Sequence, residues 1–375
     1  MCIRDRPDGI DTFDPEALAL EDDPDLQAAG AQLLAEADLE QLKGREDLIL
    51  AFLQSPSAES RIAAITAAER LGASDDGAAR ELARGLMPIL YRSETHEGVR
   101  DSAVEAARKP PLMAAFVKEG SDVAWPMLKA RAEPARRVGS EVLQHLGPNS
   151  FSLRKTARIG TNDQAIARRW AVKALEGRID QVQAEPEQIF ALLDGEWEDS
   201  REATYTMIRN NLDPAEWEPE TVVALCDCIT PPAQAFGREM LNKAFSDENA
   251  PLFLRRLSEH PSNSFRLTIA RLIREHAAGD TEKLRSVEPA LRTILSRVFS
   301  SRAAKGQAYA FIREEIDRDD PACLPIFAEL LERISATCAV GDRARILSLL
   351  VQVKSRAPEL APLAEVIEPE IRGVG

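Results

Sequence analysis

Cysteines, histidines, neighbouring carboxylates and a dense run of cations are the side chains in this 375-residue sequence whose types and spacing could do chemistry. Cys226 and Cys228 form a Cys-x-Cys, which in a loop could pinch a soft metal ion. Their surroundings predict a helix, however, and residues two apart on a helix point away from each other, so the pair reads as two small buried hydrophobes. Cys2, Cys323 and Cys338 are scattered and build no disulfide framework, which fits a reducing compartment. The four histidines are His96, His145, His260 and His276, and none belongs to a nucleophile or metal motif. His145 falls at the end of a predicted helix, where a cation favours the dipole, and His260 precedes Pro261 at a helix start. Glu314-Glu315 and Asp319-Asp320 read as solvated faces and turns in a chain rich in acids. Phosphate-loop, dinucleotide-binding, His-Glu-x-x-His and Gly-x-Ser-x-Gly patterns are all missing from the sequence. The expectation is a protein without catalytic residues, metal or cofactor.

The cations carry the sharpest functional signal. The net charge is −15, so the chain as a whole is not built to bind nucleic acid or an anionic membrane. Yet residues 129–178 hold eleven Lys and Arg against four acids. The following stretch, residues 180–248, holds four bases against sixteen acids. Within the basic island Arg154 and Arg158 are four apart, as are Arg169 and Lys173, and Lys155 adds a further donor. Spacing of four puts each pair on one stripe of a helix. These five residues are the candidate contacts for a partner's acidic groups or for phosphates, and their alternative role is a solvated surface balanced by neighbouring acids. Arg137, Arg169 and Arg201 also recur at a regular interval, so a structural role against a neighbouring turn is a second expectation for them. Trp170 lies beside Arg168 and Arg169 and reads as core, whereas Trp197 and Trp217 fall near loops and read as exposed contact points.

The elements that position these residues repeat. Ala58–Leu71, Ala132–Leu146, Thr161–Leu175, Glu198–Leu212 and His260–Ile273 share a polar or Pro-bearing lead-in, a basic residue near the helix start, and small or aliphatic residues at helical spacing. Val138, Val142 and Leu146 step by four, as do Phe265, Ile269 and Ile273, and each stripe must be buried against a neighbouring helix. Partner helices are predicted at Glu46–Leu53, Ala79–Tyr91, Asp122–Ala130, Glu187–Leu193, Glu220–Ile229, Ala250–Leu257, Val287–Phe299 and Cys323–Ile334, with a break or kink at Pro126. Taking Arg61, Arg100, Arg137, Arg169, Arg201, Arg238, Arg266, Lys305 and Arg343 as marks, the intervals run from 28 to 39 residues. That range is the one expected of two-helix repeats. Aromatics are only 5%, so the core is expected to be aliphatic and alanine-rich, and no strand–turn–strand signal competes.

The sequence resembles the HEAT-repeat family. Ser60-Arg61-Ile62 through Leu71-Gly72, Arg136-Arg137-Val138 through Leu146-Gly147, and Ala167-Arg168-Arg169 through Leu175 and Gly177 fit the second helix of that repeat. The resemblance covers roughly residues 44–357 and loosens where Gly237 and Gly306 replace helix formers. It implies an all-α superhelix of about nine helix pairs and a shape suited to holding another protein. A HEAT-like class of DNA glycosylases uses Trp and Asp on a basic surface, but no matched Asp accompanies Trp170. The organisation expected is an acidic leader over 1–43 with a weak helix from Pro24 to Leu42, an array over 44–366 and a tail over 367–375. The functional expectation is a cytoplasmic interaction scaffold binding a protein along its inner helices. Nucleic-acid binding through 129–178 is the alternative. No run of about 18 apolar residues predicts a membrane span.

Overall fold

The computed structural model of the chain describes residues 23–259, 263–296, 302–318 and 320–360. The expectations for the leader up to residue 22, for Cys2, His260, Pro261 and Asp319, and for the tail over 367–375 lie outside the described residues. Within them the chain is all-helical, with no strand. It divides into two compact units, Met1–Leu212 and Asp213–Gly375.

The helices of unit 1 are α1 (Pro24–Glu36), α2 (Leu39–Leu42), α3 (Glu46–Leu53), α4 (Ala58–Ser74), α5 (Asp76–Tyr91), α6 (Val99–Arg108), α7 (Pro110–Glu119), α8 (Ser121–Leu128), α9 (Glu133–Leu143), α10 (Leu153–Ile159), α11 (Ala165–Glu176), α12 (Ile179–Ala184), α13 (Phe190–Leu193) and α14 (Glu198–Asn211). One row of contacts runs α4–α6–α9–α11–α14, each helix packing on the next. Beside it α3 packs on α4, α8 on α9, α10 on α11 and α13 on α14. Unit 2 contains α15 (Pro219–Cys226), α16 (Pro231–Ala244), α17 (Ala250–Glu259), α18 (Asn263–Ala277), α19 (Thr281–Ser296), α20 (Arg302–Asp317), α21 (Leu324–Ser335) and α22 (Val340–Arg356). It repeats the scheme in two rows, α15–α17–α19–α21 and α18–α20–α22.

Small residues make this alternation possible. Ala64, Ala67, Ala68, Ala103, Ala106 and Ala107 are buried at helix crossings, as an alanine-rich core requires, while Phe52, Phe116, Phe253, Phe311 and Phe327 are the largest side chains fully enclosed. Gly237 is needed in α16 because a Cβ there would sit 2.7 Å from the Cys226 Cα. Gly139 in α9 is the counterpart in unit 1, where a Cβ would lie 2.7 Å from the Met127 Cβ. A glycine inside a helix costs about 1 kcal/mol of intrinsic propensity, and close approach of the partner helix is its compensation here.

Several expected boundaries shift. The helix expected at Val287–Phe299 begins earlier, at Thr281, where Asp280 Oδ1 accepts from the amides of Glu282 and Lys283. The single leading helix is two, because Asp38 starts α2 with a capping box closed by Gln41. Leu146 leaves the expected stripe, as α9 ends at Leu143. Pro126 lies inside α8 two residues before that helix ends. Glu315 is no solvated acid: it is buried, accepts from the Gly279 amide at 2.9 Å and faces Arg318 at 2.8 Å.

Candidate functional site

The basic island resolves into cations used by the fold and cations left to solvent. Arg136 in α9 donates through one terminal nitrogen to the Ala130 and Arg131 carbonyls, at 2.8 and 2.6 Å, and meets Asp163 at 2.7 Å. Arg168 in α11 does the same one repeat on, with the carbonyls of Asn162 and Asp163 at 3.0 and 2.9 Å and Asp199 at 2.8 Å. Its guanidinium also lies 4.2 Å from the Trp197 ring centroid. Arg61 and Arg201 bond the carbonyls six and five residues before them in the same way. In unit 2 Gln234 holds the Cys228 carbonyl six residues back, and Lys305 reaches Asp342 at 2.7 Å. Arg61, Arg136, Arg168, Arg201 and Gln234 each tie a helix to its own lead-in turn, while Arg136, Arg168 and Lys305 reach an acid in or just before the next helix of the row.

This corrects the register of the sequence marks. Arg136 and Arg168 hold the turns, not Arg137 and Arg169 one position later. From Arg136 the interval to Arg168, Arg201 and Gln234 is then 32, 33 and 33 residues, so Gln234 replaces Arg238. The reason is helical phase. Residues three, four and seven after Arg168 are Ala171, Val172 and Leu175, all buried, which carries Arg168 inward and Arg169 out.

All five candidate residues are exposed: Arg154, Lys155 and Arg158 on α10, Arg169 and Lys173 on α11. α10 begins at Leu153 because Ser152 caps it, its hydroxyl accepting from the Lys155 amide at 3.4 Å. Leu153, Thr156, Ala157 and Ile159 then turn inward and leave the three cations facing water. Among the described residues none of the five side chains forms an ion pair, nor do those of Lys129, Arg131 and Arg137. The structure separates the five, however. Arg154 and Lys155 line a groove of about 950 Å³, whereas Arg158, Arg169 and Lys173 do not.

The groove belongs wholly to unit 1. α8 contributes Trp125, the turn before α10 contributes Phe151, and Arg178 stands at the head of α12. Trp125 is half-buried with its ring 6.3 Å from Phe151, which in turn meets Trp170 edge-on at 5.8 Å. The ammonium groups of Lys129 and Lys155 lie over the Trp125 ring, 5.4 and 5.6 Å from its centroid. Such contacts are worth about 0.5–1 kcal/mol each at exposed sites. Arg178 is 7% exposed and donates to the carbonyls of Ala174 and Phe151 and, at 2.7 Å, to the Thr156 hydroxyl. Burial holds its guanidinium below the usual pKa, and no carboxylate forms an ion pair with it among the described residues. Asp122 and Glu185 also border the groove. Sequence reading passed over Arg178 and Trp125. Nothing in the sequence singles out Arg178, which has Glu176 and Asp180 two residues away on either side.

The remaining candidates settle into packing. Trp170 is half-buried and donates to the Leu146 carbonyl at 3.2 Å. Trp217 is buried at 6% exposure, which corrects its expected role as an exposed contact, and Trp197 is half-buried beneath Arg168. α15 ends at Cys226, so Cys228 lies beyond the helix predicted to hold both. Both are buried, and burial pushes the Cys226 thiol up to about 12, the wrong direction for a thiolate ligand. Among the described residues no group of three or more His, Cys, Asp and Glu is placed to hold a metal ion. No helix among them is long and apolar enough to cross a membrane. His276, given no role by its sequence context, is buried with its Nδ1 2.8 Å from Asp247, which Lys283 also contacts.

No protein-family model matches the chain, and no curated protein matches it.

Proposed function

We propose that the chain is a HEAT-like α-solenoid that works as a non-catalytic interaction scaffold in the cytoplasm and holds an acidic segment of another protein against the cations of residues 129–178. The observation carrying this reading is that nine of the island's eleven cations, Arg178 included, make no ion pair among the described residues. The rows of alternating helices within each unit support the repeat architecture, and the buried thiols support a reducing compartment.

An acidic protein is favoured over nucleic acid by one feature of the same surface. The Trp125 ring already carries two ammonium groups, so a base could stack there only by displacing a lysine. The test is fluorescence anisotropy of a labelled hexaglutamate peptide against the full chain. Replacing Arg154, Lys155, Arg158, Arg169 and Lys173 together by Gln should abolish binding, and an unchanged affinity would refute the reading.

A further inference from the structure

Arg178 stands apart from the other cations of unit 1. A guanidinium has five N–H donors. Three of those of Arg178 are taken by the carbonyls of Ala174 and Phe151 and by the Thr156 hydroxyl. All three acceptors are uncharged, so the positive charge is buried without a carboxylate. Taking one ion out of water costs several kcal/mol, which a neutral acceptor offsets only in part. The comparison within the unit is direct: Arg136 and Arg168, also built into the fold, each have an aspartate at 2.7–2.8 Å. Arg178 has a groove instead, with Lys155 and Arg154 on its wall and the Trp125–Phe151 ring pair beside them. The volume, about 950 Å³, accommodates a short stretch of extended chain rather than a folded domain.

We infer that this groove is the site that selects the partner: it takes a short acidic peptide segment, one carboxylate of which supplies the counter-ion Arg178 lacks while flanking carboxylates meet Lys155 and Arg154. The inference rests on the acidic-partner reading above and narrows it from the whole island to one groove. A carboxylate accepts two parallel N–H bonds from a guanidinium, and Arg178 has two N–H groups beyond those already engaged. Lys129 and Lys155 lie over the Trp125 ring, so the peptide meets an aromatic wall that already carries two ammonium groups. Arg158, Arg169 and Lys173, off the groove, then act at longer range by raising the rate of encounter more than the affinity.

The experiment uses the full chain with labelled hexaglutamate and, as a second probe, a labelled thymidine hexanucleotide, both at low salt. Arg178→Gln should lose peptide binding, but Arg178 also ties α12 to α10 and its loss can unfold the unit. The deciding variants are therefore two exposed pairs whose folding is checked by circular dichroism. Arg154→Gln with Lys155→Gln should weaken peptide binding by more than about tenfold, and Arg169→Gln with Lys173→Gln by less than about threefold. Equal losses from the two pairs, or a larger loss from the second, would overturn the groove as the selecting site while leaving the basic-island reading in place. Failure of the unaltered chain to bind the peptide, or tighter binding of the hexanucleotide, would overturn both.

Discussion

Residues 129–178 of unit 1 and the helices of unit 2 use the same side chains for opposite purposes. In unit 2 cations are set against carboxylates along most helices: Arg256 meets Glu220, Arg274 meets Glu314, Lys283 meets Asp247 and Lys305 meets Asp342. In residues 129–178 only Arg136 and Arg168 are so placed among the described residues. Five helices are tied to their lead-in turns by a single side chain each, Arg61, Arg136, Arg168, Arg201 and Gln234. Other cations are neutralised locally, as at Arg256, Arg274 and Lys283 in unit 2, or make no ion pair among the described residues, as on α10 and α11 and at Arg238, Arg285, Arg313 and Arg345 in unit 2. A basic stretch in a helical array therefore says little until its members are sorted by helical phase.

The largest effect expected from breaking this division is in unit 2. Lys305 and Asp342 are both shielded from water, with side chains 6% and 15% exposed. Lys305→Gln strands the carboxylate and should cost about 3 kcal/mol in urea unfolding. Next comes the adjacent pair in α11. Arg168→Gln should cost about 2 kcal/mol, less because Asp199 is half in solvent, whereas Arg169→Gln should stay within about 0.5 kcal/mol. Similar losses at the two positions would erase the distinction between tethering and available cations.

A smaller effect is pH-dependent. The hydrogen bond from Arg168, aided by the Ser200 amide, holds the Asp199 carboxyl below the usual carboxylate range. Lys283 and His276 do the same for Asp247. A carboxyl whose pKa is lower folded than unfolded adds stability that is fully present above the unfolded value, about 4, and is lost as pH falls through the folded value. Urea midpoints should thus drop between about pH 5 and pH 3. Asp199→Asn should flatten that slope, and the gap between variant and parent should close as the solution becomes more acidic. A gap that widens on acidification would mean that Asp199 is not held ionised by Arg168.

Much of the fold was legible in the residues. Alanine-rich stripes, Pro-bearing lead-ins and the interval near 32 residues identify helices packed in pairs, because few other arrangements bury such a surface. The register of the tether was legible too but was misread between neighbouring arginines. Lys173 and Glu176, four and seven after Arg169, already mark the solvent stripe, whereas Ala171, Val172 and Leu175 mark the buried one. The short α7 and α12 were missed, since Pro110-Pro111 reads equally as a break or a helix start and six residues give no periodicity. The groove could not be read at all. Trp125, Phe151 and Arg178 come from three separate elements, and only the packing of α8, α10 and α12 sets them around one space.

The central claim is that the unpaired cations of unit 1 are a docking surface while the paired cations of unit 2 are scaffold. Hydrogen–deuterium exchange of the full chain, with and without saturating hexaglutamate, tests it most directly. Slowed exchange should appear in α8, in the turn before α10 and in α10 and α12, with unit 2 unchanged. Protection confined to unit 2, or no protection anywhere, would contradict the account.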